Sequence, residues 1–129
     1  KDYPHGTGHG VGSFLSVHEG PQNISLSSYH TKFASGMVVS NEPGFYVPGE
    51  FGIRIENMMY VKDSNNFDFL EFAMLTLVPY EKNLINWQML TKNEIEYLSK
   101  YYKLIEKRIM PHLSIQAKNW LQNQLRLVF

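Results

Sequence analysis

The stretch HGTGHGVGSFLSVHEGP, residues 5–21, holds three histidines, five glycines and a glutamate within seventeen positions. Gly6, Gly8, Gly10 and Gly12 alternate through its first half, which suits a backbone that bends sharply or comes close to a ligand. A segment of this kind fills a packed core poorly. It therefore indicates the wall of a functional site.

Composition restricts the classes of protein that the chain can represent. Its 129 residues fit one domain, and an apolar content of 43% is enough for a core. A formal net charge of zero argues against nucleic-acid and membrane-surface partners, and no apolar run approaches the roughly 20 residues of a membrane span. The absence of cysteine excludes a disulfide scaffold and fits a reducing, cytoplasmic location. The opening Lys1-Asp2-Tyr3-Pro4 is typical of the interior of a longer protein.

Several short strands are predicted in the first part of the chain. The clearest is a hairpin, in which residues 45–47 and 51–61 are joined by a turn at Pro48-Gly49. Within 51–61, alternation places Arg54 and Glu56 on one side of the strand. The other expectations are a short extended segment at 11–18, a polar loop at 22–32, a buried strand at Met37–Val39 and one or two strands within 67–79.

Helices are predicted after residue 90. Thr91 and Glu94 form a capping-box pattern, and apolar residues follow at spacings of three and four until Pro111. This stripe consists of Ile95, Leu98, Tyr102, Ile105 and Ile109. A second helix is indicated by Ala117, Trp120, Leu121, Gln124, Leu125 and Val128. The predicted fold is α+β, antiparallel strands followed by a helical tail, and the stripe should pack on the sheet or against a second subunit.

The spacing of acidic residues and histidines raises the question of a metal site. Glu42 and Glu56 end apolar segments on either side of the hairpin, so both carboxylates can reach one edge of the sheet with a histidine from residues 5–18. Two carboxylates and an imidazole suit Mn²⁺, Co²⁺, Zn²⁺ or Fe²⁺. The alternative is two solvated glutamates beside a loop that is rich in histidine by chance.

The individual histidines differ in what their surroundings indicate. His9 lies between two glycines that leave its ring free to be presented, which favours a ligand. Considered alone, His18 is more typical of a half-buried, hydrogen-bonded histidine, and His5 is either a partner of a ligand or a loop residue. His30 and His112 are expected at the surface. Arg54 either orients Glu56 through a charge-assisted pair or lies exposed beside it.

Three motifs in this order carry a resemblance to a known family. HGTGHGVGSFLSVHEGP is followed by NEPGFY at residues 41–46 and GIRIEN at 52–57. Together they resemble the pita-bread metallopeptidases, and within them the aminopeptidase P group, over nearly the whole chain. The segment FLEFAMLTLVPYEKNLIN, residues 69–86, and the helical tail resemble the C-terminal extension of the three-domain members. The resemblance implies that residues 1–80 are the C-terminal half of the catalytic domain and that 81–129 are the extension.

The resemblance also implies roles for individual residues. His9 and Glu42 resemble ligands to one ion of a binuclear centre, usually manganese with Co²⁺ or Zn²⁺ as alternatives, and Glu56 resembles the carboxylate that bridges both ions. His5 and His18 resemble histidines of the substrate pocket, with His18 at the attacked carbonyl. Arg54 resembles an arginine that supports the ligands. The implied activity is removal of the N-terminal residue from peptides that have proline second.

One departure from the family pattern limits what this chain can do by itself. The family's centre needs two further aspartates from a preceding half of the domain, and Asp2, Asp63 and Asp68 do not stand in that motif. The missing half is therefore an expected partner, and the 129 residues alone are expected to be inactive. Two alternatives remain: a prolidase-like or methionine-aminopeptidase-like enzyme, and a non-catalytic pita-bread module that binds peptides.

Overall fold

The computed structural model describes residues 2–14, 16–26 and 31–127, and it confirms the predicted α+β class. Contacts divide the chain into two units, Lys1–Thr76 and Leu77–Phe129. The first unit contains the strands β1 (Gly8–His9), β2 (Asn23–Ile24), β3 (Val38–Asn41), β4 (Gly44–Val47), β5 (Phe51–Arg54), β6 (Asn57–Asp63) and β7 (Leu70–Met74). The second contains the helices α1 (Lys92–Ile109) and α2 (Ile115–Gln124), with 3₁₀ turns at Lys82–Leu84, Trp87–Met89 and Met110–His112.

The predicted hairpin is confirmed, and its turn has the chemistry that the sequence indicated. β4 pairs antiparallel with β5, and the amide of Glu50 donates to the carbonyl of Val47 at 3.0 Å. Pro48 and Gly49 are the central residues of this turn, and Gly49 has a φ of 77°. A proline followed by a residue with positive φ is the pattern of a type II turn, for which glycine is the suitable residue.

The expectation of one strand over residues 51–61 is wrong, because the chain leaves one sheet and enters another after Arg54. β5 pairs with β4, whereas β6 lies between β3 and β7 in a three-stranded antiparallel sheet. The register is nevertheless shared: Asn41 is opposite Asn57 and Gly44 is opposite Arg54. Positions 42 and 43 therefore stand across from 56 and 55, in the gap between the two sheets.

The gap between the two sheets has a physical cause in residues 42 and 43. Pro43 has no amide hydrogen to give to a ladder, and the amide of Glu42 donates instead to the carbonyl of Thr7 at 2.7 Å. One bond across the gap survives, from the amide of Ile55 to the carbonyl of Pro43 at 3.0 Å. Glu42 and Glu56 thus stand at the same level of the hairpin, where regular pairing is interrupted.

The three-stranded sheet supplies the core of the first unit. Along β6, Asn57, Met59 and Val61 are buried while the residues between them are half-buried, which is the period of two of a strand with one inward face. Val39 of β3 and Val61 are almost inaccessible to solvent. Of the one or two strands expected within 67–79, the structure has one, β7.

The glycine-rich segment differs from the expectation for residues 11–18. In the described residues 11–14 and 16–18 the chain forms bends and no strand; the amide of Gly12 donates to the carbonyl of Ser16, which closes a turn. Strand pairing occurs on either side instead, between β1 and β2, so part of the predicted loop at 22–32 is extended. Phe14 and Val17 remain 82% and 62% exposed because no sheet covers them.

The second unit follows the predicted helix pattern closely. The capping box is present: Thr91 Oγ1 accepts from the amide of Glu94, whose side chain accepts from the amide of Thr91. Of the predicted stripe, Leu98, Tyr102 and Ile105 are buried, and Ile95 and Ile109 are half-buried. In α2, Leu121 is buried and Trp120 is 59% exposed; Leu125 follows the helix and Val128 lies outside the described residues. Within the described residues, neither helix is long and apolar enough to cross a membrane.

Candidate metal centre

The site begins with the pair formed by His9 at the end of β1 and Glu42 just after β3. Nε2 of His9 lies 3.1 Å from Oε1 of Glu42, and the two side chains are 26% and 10% exposed. The glycines explain how β1 comes so close to β3. A Cβ at Gly8 would collide with the carbonyl oxygen of Ser40, and one at Gly10 with the carbonyl oxygen of Glu19. Both glycines therefore permit close backbone packing around the pair.

The orientation of the His9 ring fits metal binding. Its Nδ1 donates to the carbonyl of Gly10 at 2.8 Å, because a carbonyl oxygen can only accept. Nε2 is therefore the nitrogen that faces Glu42. With ligand bonds of about 2.1 Å, two neighbouring ligand atoms of one ion lie roughly 3 Å apart at octahedral angles and roughly 3.4 Å apart at tetrahedral angles. The observed 3.1 Å thus suits two neighbouring ligands of one divalent ion.

Glu42 is a buried carboxylate held at both oxygens. Ser40 Oγ donates to Oε1 at 2.9 Å, and Nη1 of Arg54 donates to Oε2 at 3.0 Å. Burial of a charged carboxylate is unfavourable unless partners of this kind replace the lost water. Strand alternation predicted Arg54 beside Glu56, but the ion pair in the structure is with Glu42. The reason is the hairpin register: Arg54 is opposite Gly44, which makes Glu42 its diagonal neighbour.

The same arginine connects Glu42 to His5 through Tyr46. Nε of Arg54 donates to the hydroxyl of Tyr46 at 3.0 Å, and that hydroxyl lies 2.5 Å from Nε2 of His5. The other ring nitrogen, Nδ1, donates to the carbonyl of Gly6 at 2.8 Å, so Nε2 accepts from the tyrosine. The bond to Tyr46 is the main reason why the pKa of Arg54 is raised, with smaller contributions from the charges of Glu42 and Glu56.

The remaining predicted site residues occupy different surroundings. His18 is exposed, and its ring lies beside that of His9, with centroids 4.4 Å apart and planes inclined by 58°. Glu56 is exposed at the level of Glu42. His112 is exposed as expected, and His30 lies outside the described residues. Across residues 2–14, 16–26 and 31–127, no group of three or more histidine, aspartate or glutamate side chains is arranged to hold a metal.

Sequence reasoning did not single out Ser40 or Tyr46. A signal for Tyr46 exists in the glycines around it: Gly52 is opposite Tyr46 in the hairpin, and a Cβ at Gly52 or Gly44 would collide with the tyrosine ring. Two glycines in a short hairpin thus mark the place where a large side chain lies flat. Ser40 carries no comparable signal, since a serine in a strand is ordinary.

Comparison with known proteins agrees with this geometry. Residues 1–63 match metallopeptidase family M24, and residues 68–127 match the C-terminal region of peptidase M24. The chain is 51% identical to Xaa-Pro aminopeptidase 1 of Dictyostelium discoideum, covering 97% of this chain and 22% of that protein. It is 42% identical to aminopeptidase P1 of Lotus japonicus, covering 94% of this chain and 20% of that protein.

The chain also matches a solved structure of a related enzyme. X-prolyl aminopeptidase from Caenorhabditis elegans, described as a cytosolic enzyme with a di-nuclear active site, superposes with a TM-score of 0.84 at 35% identity, covering 98% of this chain and 22% of that chain. The match confirms the predicted pita-bread fold. The chain spans about a fifth of the length of these relatives. The two family matches cover nearly all of its residues, and the chain belongs to metallopeptidase family M24.

Proposed function

We propose that this chain is part of a metal-dependent aminopeptidase that removes the N-terminal residue from peptides with proline in second position. The observation that carries the proposal is the 3.1 Å approach of His9 Nε2 to Glu42 Oε1 within a chain of family M24. The relatives are named Xaa-Pro aminopeptidase, aminopeptidase P and X-prolyl aminopeptidase, which supports the proline preference. The proposal concerns the intact protein.

The proposed metal ligands in this chain are His9, Glu42 and Glu56. His9 and Glu42 would hold one divalent ion, and Glu56, opposite Glu42 in the hairpin register, would bridge to a second. Mn²⁺ is the proposed metal, with Co²⁺ and Zn²⁺ as alternatives, and two aspartates from another part of the intact protein complete the set. When bound, the two ions activate water and polarise the carbonyl of the bond before proline.

The other site residues are proposed to bind and orient. His18 is exposed beside His9, so its ring is accessible to substrate and stabilises charge at the attacked carbonyl. Both nitrogens of His5 are engaged, by Gly6 and Tyr46, so His5 serves as a wall of the pocket. Arg54 holds the second oxygen of Glu42 and keeps that carboxylate in place.

The wider proposals concern the intact protein's organisation. Residues 1–80 belong to the catalytic domain and residues 81–129 to a C-terminal extension. The protein acts in the cytoplasm on peptide substrates and forms a homodimer. The structural relative described as cytosolic supports the location.

The substrate specificity of the intact protein tests the proposed function. With Mn²⁺ present it should cleave an X-Pro tripeptide, and it should cleave the matched X-Ala tripeptide and a Met-Ala peptide far more slowly. Preference for Met-Ala would indicate a methionine-aminopeptidase-like enzyme instead. Absence of cleavage of all three, with peptide binding retained, would indicate a non-catalytic module.

The isolated chain provides a second test, of the proposed metal ligands. It holds at most three of the proposed ligands, and a bridging Glu56 without a partner on its far side cannot build a second site. We therefore expect at most one bound Mn²⁺ per chain by titration calorimetry, and no turnover of the X-Pro tripeptide. Two tightly bound ions, or true turnover, would show that the two aspartates are unnecessary.

A further inference from the structure

Ser40 is a buried polar residue to which neither the predicted site nor the proposed mechanism gives a task. It lies in β3 and is 1% exposed, next to Val39, which is fully buried. A hydroxyl in such a place must satisfy both its donor and its acceptor capacity within the protein. The two partners of this hydroxyl are the two residues that form the candidate metal pair.

The direction of each hydrogen bond is fixed by chemistry. The backbone amide of His9 can only donate, and it lies 3.0 Å from Ser40 Oγ. The carboxylate of Glu42 can only accept, and its Oε1 lies 2.9 Å from the same oxygen. The hydroxyl proton of Ser40 is therefore directed at Glu42, while its lone pair receives the amide proton of His9.

The arrangement adds a side-chain link between two elements that are also joined by the hydrogen bond from the amide of Glu42 to the carbonyl of Thr7. His9 is in β1 and Glu42 follows β3, and Ser40 and Glu42 are two apart in the chain, so their side chains share a side of the strand. One hydroxyl thus holds the backbone that carries the imidazole and the oxygen that faces it. The 3.1 Å between His9 Nε2 and Glu42 Oε1 depends on both bonds.

The bond to Glu42 also selects which lone pairs remain available. Each carboxylate oxygen has about two acceptor positions. Ser40 occupies one position on Oε1, and Arg54 engages Oε2. One acceptor position therefore remains on Oε1, the oxygen that lies 3.1 Å from His9 Nε2.

We propose that Ser40 is a positioning residue that sets the His9–Glu42 ligand pair for a divalent ion. This inference rests on the proposed function. Ser40 touches neither substrate nor ion in it, and acts through the two residues that it holds. Its removal should therefore weaken metal binding more than it weakens the fold.

The test uses the intact protein and measures Mn²⁺ affinity by competition with a chelating dye. Ser40→Ala should raise the dissociation constant 10- to 100-fold, the range for losing a group that orients a ligand. Ser40→Thr keeps the hydroxyl and should return the constant toward the wild-type value. Ser40→Cys, nearly the same size but a weak donor, should raise the constant, and it carries the test if the alanine variant does not fold.

Thr76→Val is the matched control. The hydroxyl of Thr76 also accepts from a backbone amide in the first unit, that of Met58 at 2.8 Å. Removing this hydroxyl should leave the Mn²⁺ constant unchanged. A wild-type constant in Ser40→Ala or Ser40→Cys, or an equal loss in Thr76→Val, would overturn the proposal.

A second readout is independent of the metal. In metal-free protein, hydrogen exchange measured by mass spectrometry should accelerate in the peptide containing His9 in Ser40→Ala and not in Thr76→Val; unchanged exchange would contradict the assigned bond. Mn²⁺ binding without X-Pro cleavage in the wild type would reject the aminopeptidase activity and leave the Ser40 comparison decisive. A wild type that binds no Mn²⁺ would overturn both.

Discussion

The polar network around Glu42 in the first unit and the apolar stripe of α1 in the second unit depend on different kinds of interaction. In the first, polar side chains around Glu42 make a chain of hydrogen bonds that reaches from His9 to His5. In the second, helix α1 buries an apolar stripe centred on Ile105. Polar networks depend on geometry to within a fraction of an ångström, whereas apolar burial depends mainly on area. We therefore expect substitutions in the polar network of the first unit to affect function most, and substitutions in the apolar stripe of the second unit to affect stability most.

The largest expected effect is loss of activity when the ligand pair is broken. His9→Ala in the intact protein removes the imidazole whose Nε2 faces the carboxylate of Glu42. Affinity for Mn²⁺ should fall by more than the roughly 100-fold expected for a supporting residue, and X-Pro hydrolysis should fall to background. His112→Ala, at an exposed histidine of the second unit, should change neither. Full activity and metal content in His9→Ala would contradict the assignment.

The next effect distinguishes a pocket residue from a ligand within the first unit. His18→Ala should lower kcat/KM by about 10²- to 10⁴-fold, the range for losing a group that stabilises the transition state. Bound Mn²⁺, measured by elemental analysis, should stay at the wild-type value, since His18 contacts His9 only through its ring. Loss of metal together with activity would make His18 a ligand.

A charged substitution in the apolar stripe of the second unit should lower its stability. Ile105 is fully buried, and Ile105→Glu places a carboxylate where it has no solvent, which should cost about 4 kcal/mol or more in the free energy of unfolding. Ile115→Glu is the matched control, because Ile115 is 79% exposed at the start of α2, and its effect should stay within about 0.5 kcal/mol. Denaturant unfolding checks both. Equal stability of the two variants would show that the stripe is not core.

The smallest expected effect is a pH dependence at the cap of α1. Hydrogen bonds from the side chain and then the amide of Thr91 lower the pKa of Glu94 below its ordinary 4.5. A carboxyl whose pKa is lower when folded stabilises the fold fully above its unfolded pKa and loses that contribution as pH falls through the folded pKa. The wild type should therefore lose thermal stability as the pH falls from 5 to 3, and Glu94→Gln should lose less stability over the same range. An unchanged pH dependence in Glu94→Gln would contradict the prediction.

The sequence predicted the helices of the second unit better than the strands of the first. The capping box at Thr91 and the end of α1 before Pro111 were predicted correctly, because caps and periodicity are local properties of the chain. The break after Arg54 was not, because it depends on Glu42 giving its amide to Thr7, far away in sequence. The extended segment expected at 11–18 was wrong for a related reason: whether the described residues 11–14 and 16–18 pair with a strand depends on what the fold places beside them.

The limits of prediction from the sequence are clearer in the candidate site. His9 and Glu42 were chosen as a pair, and the structure brings them together. Arg54 was expected either to pair with Glu56 or to lie exposed beside it; the structure pairs it with Glu42, because strand alternation fixes faces but does not say which cross-strand neighbour is closer. Ser40 and Tyr46 were missed because their importance arises only from what the fold places beside them.

The register of the hairpin depends on the length of the turn at its far end. The geometry of the site therefore depends on that length as well. The turn at Val47–Glu50 fixes which residues of the returning strand stand opposite Glu42 and Tyr46. One residue added there would shift every pair by one position and turn Arg54 and Glu56 to the opposite face, although no site residue had changed. Substitutions at Glu50, which is exposed, should be tolerated freely, whereas insertions and deletions should not. In related chains position 50 should therefore vary in sequence, while the turn keeps a constant length.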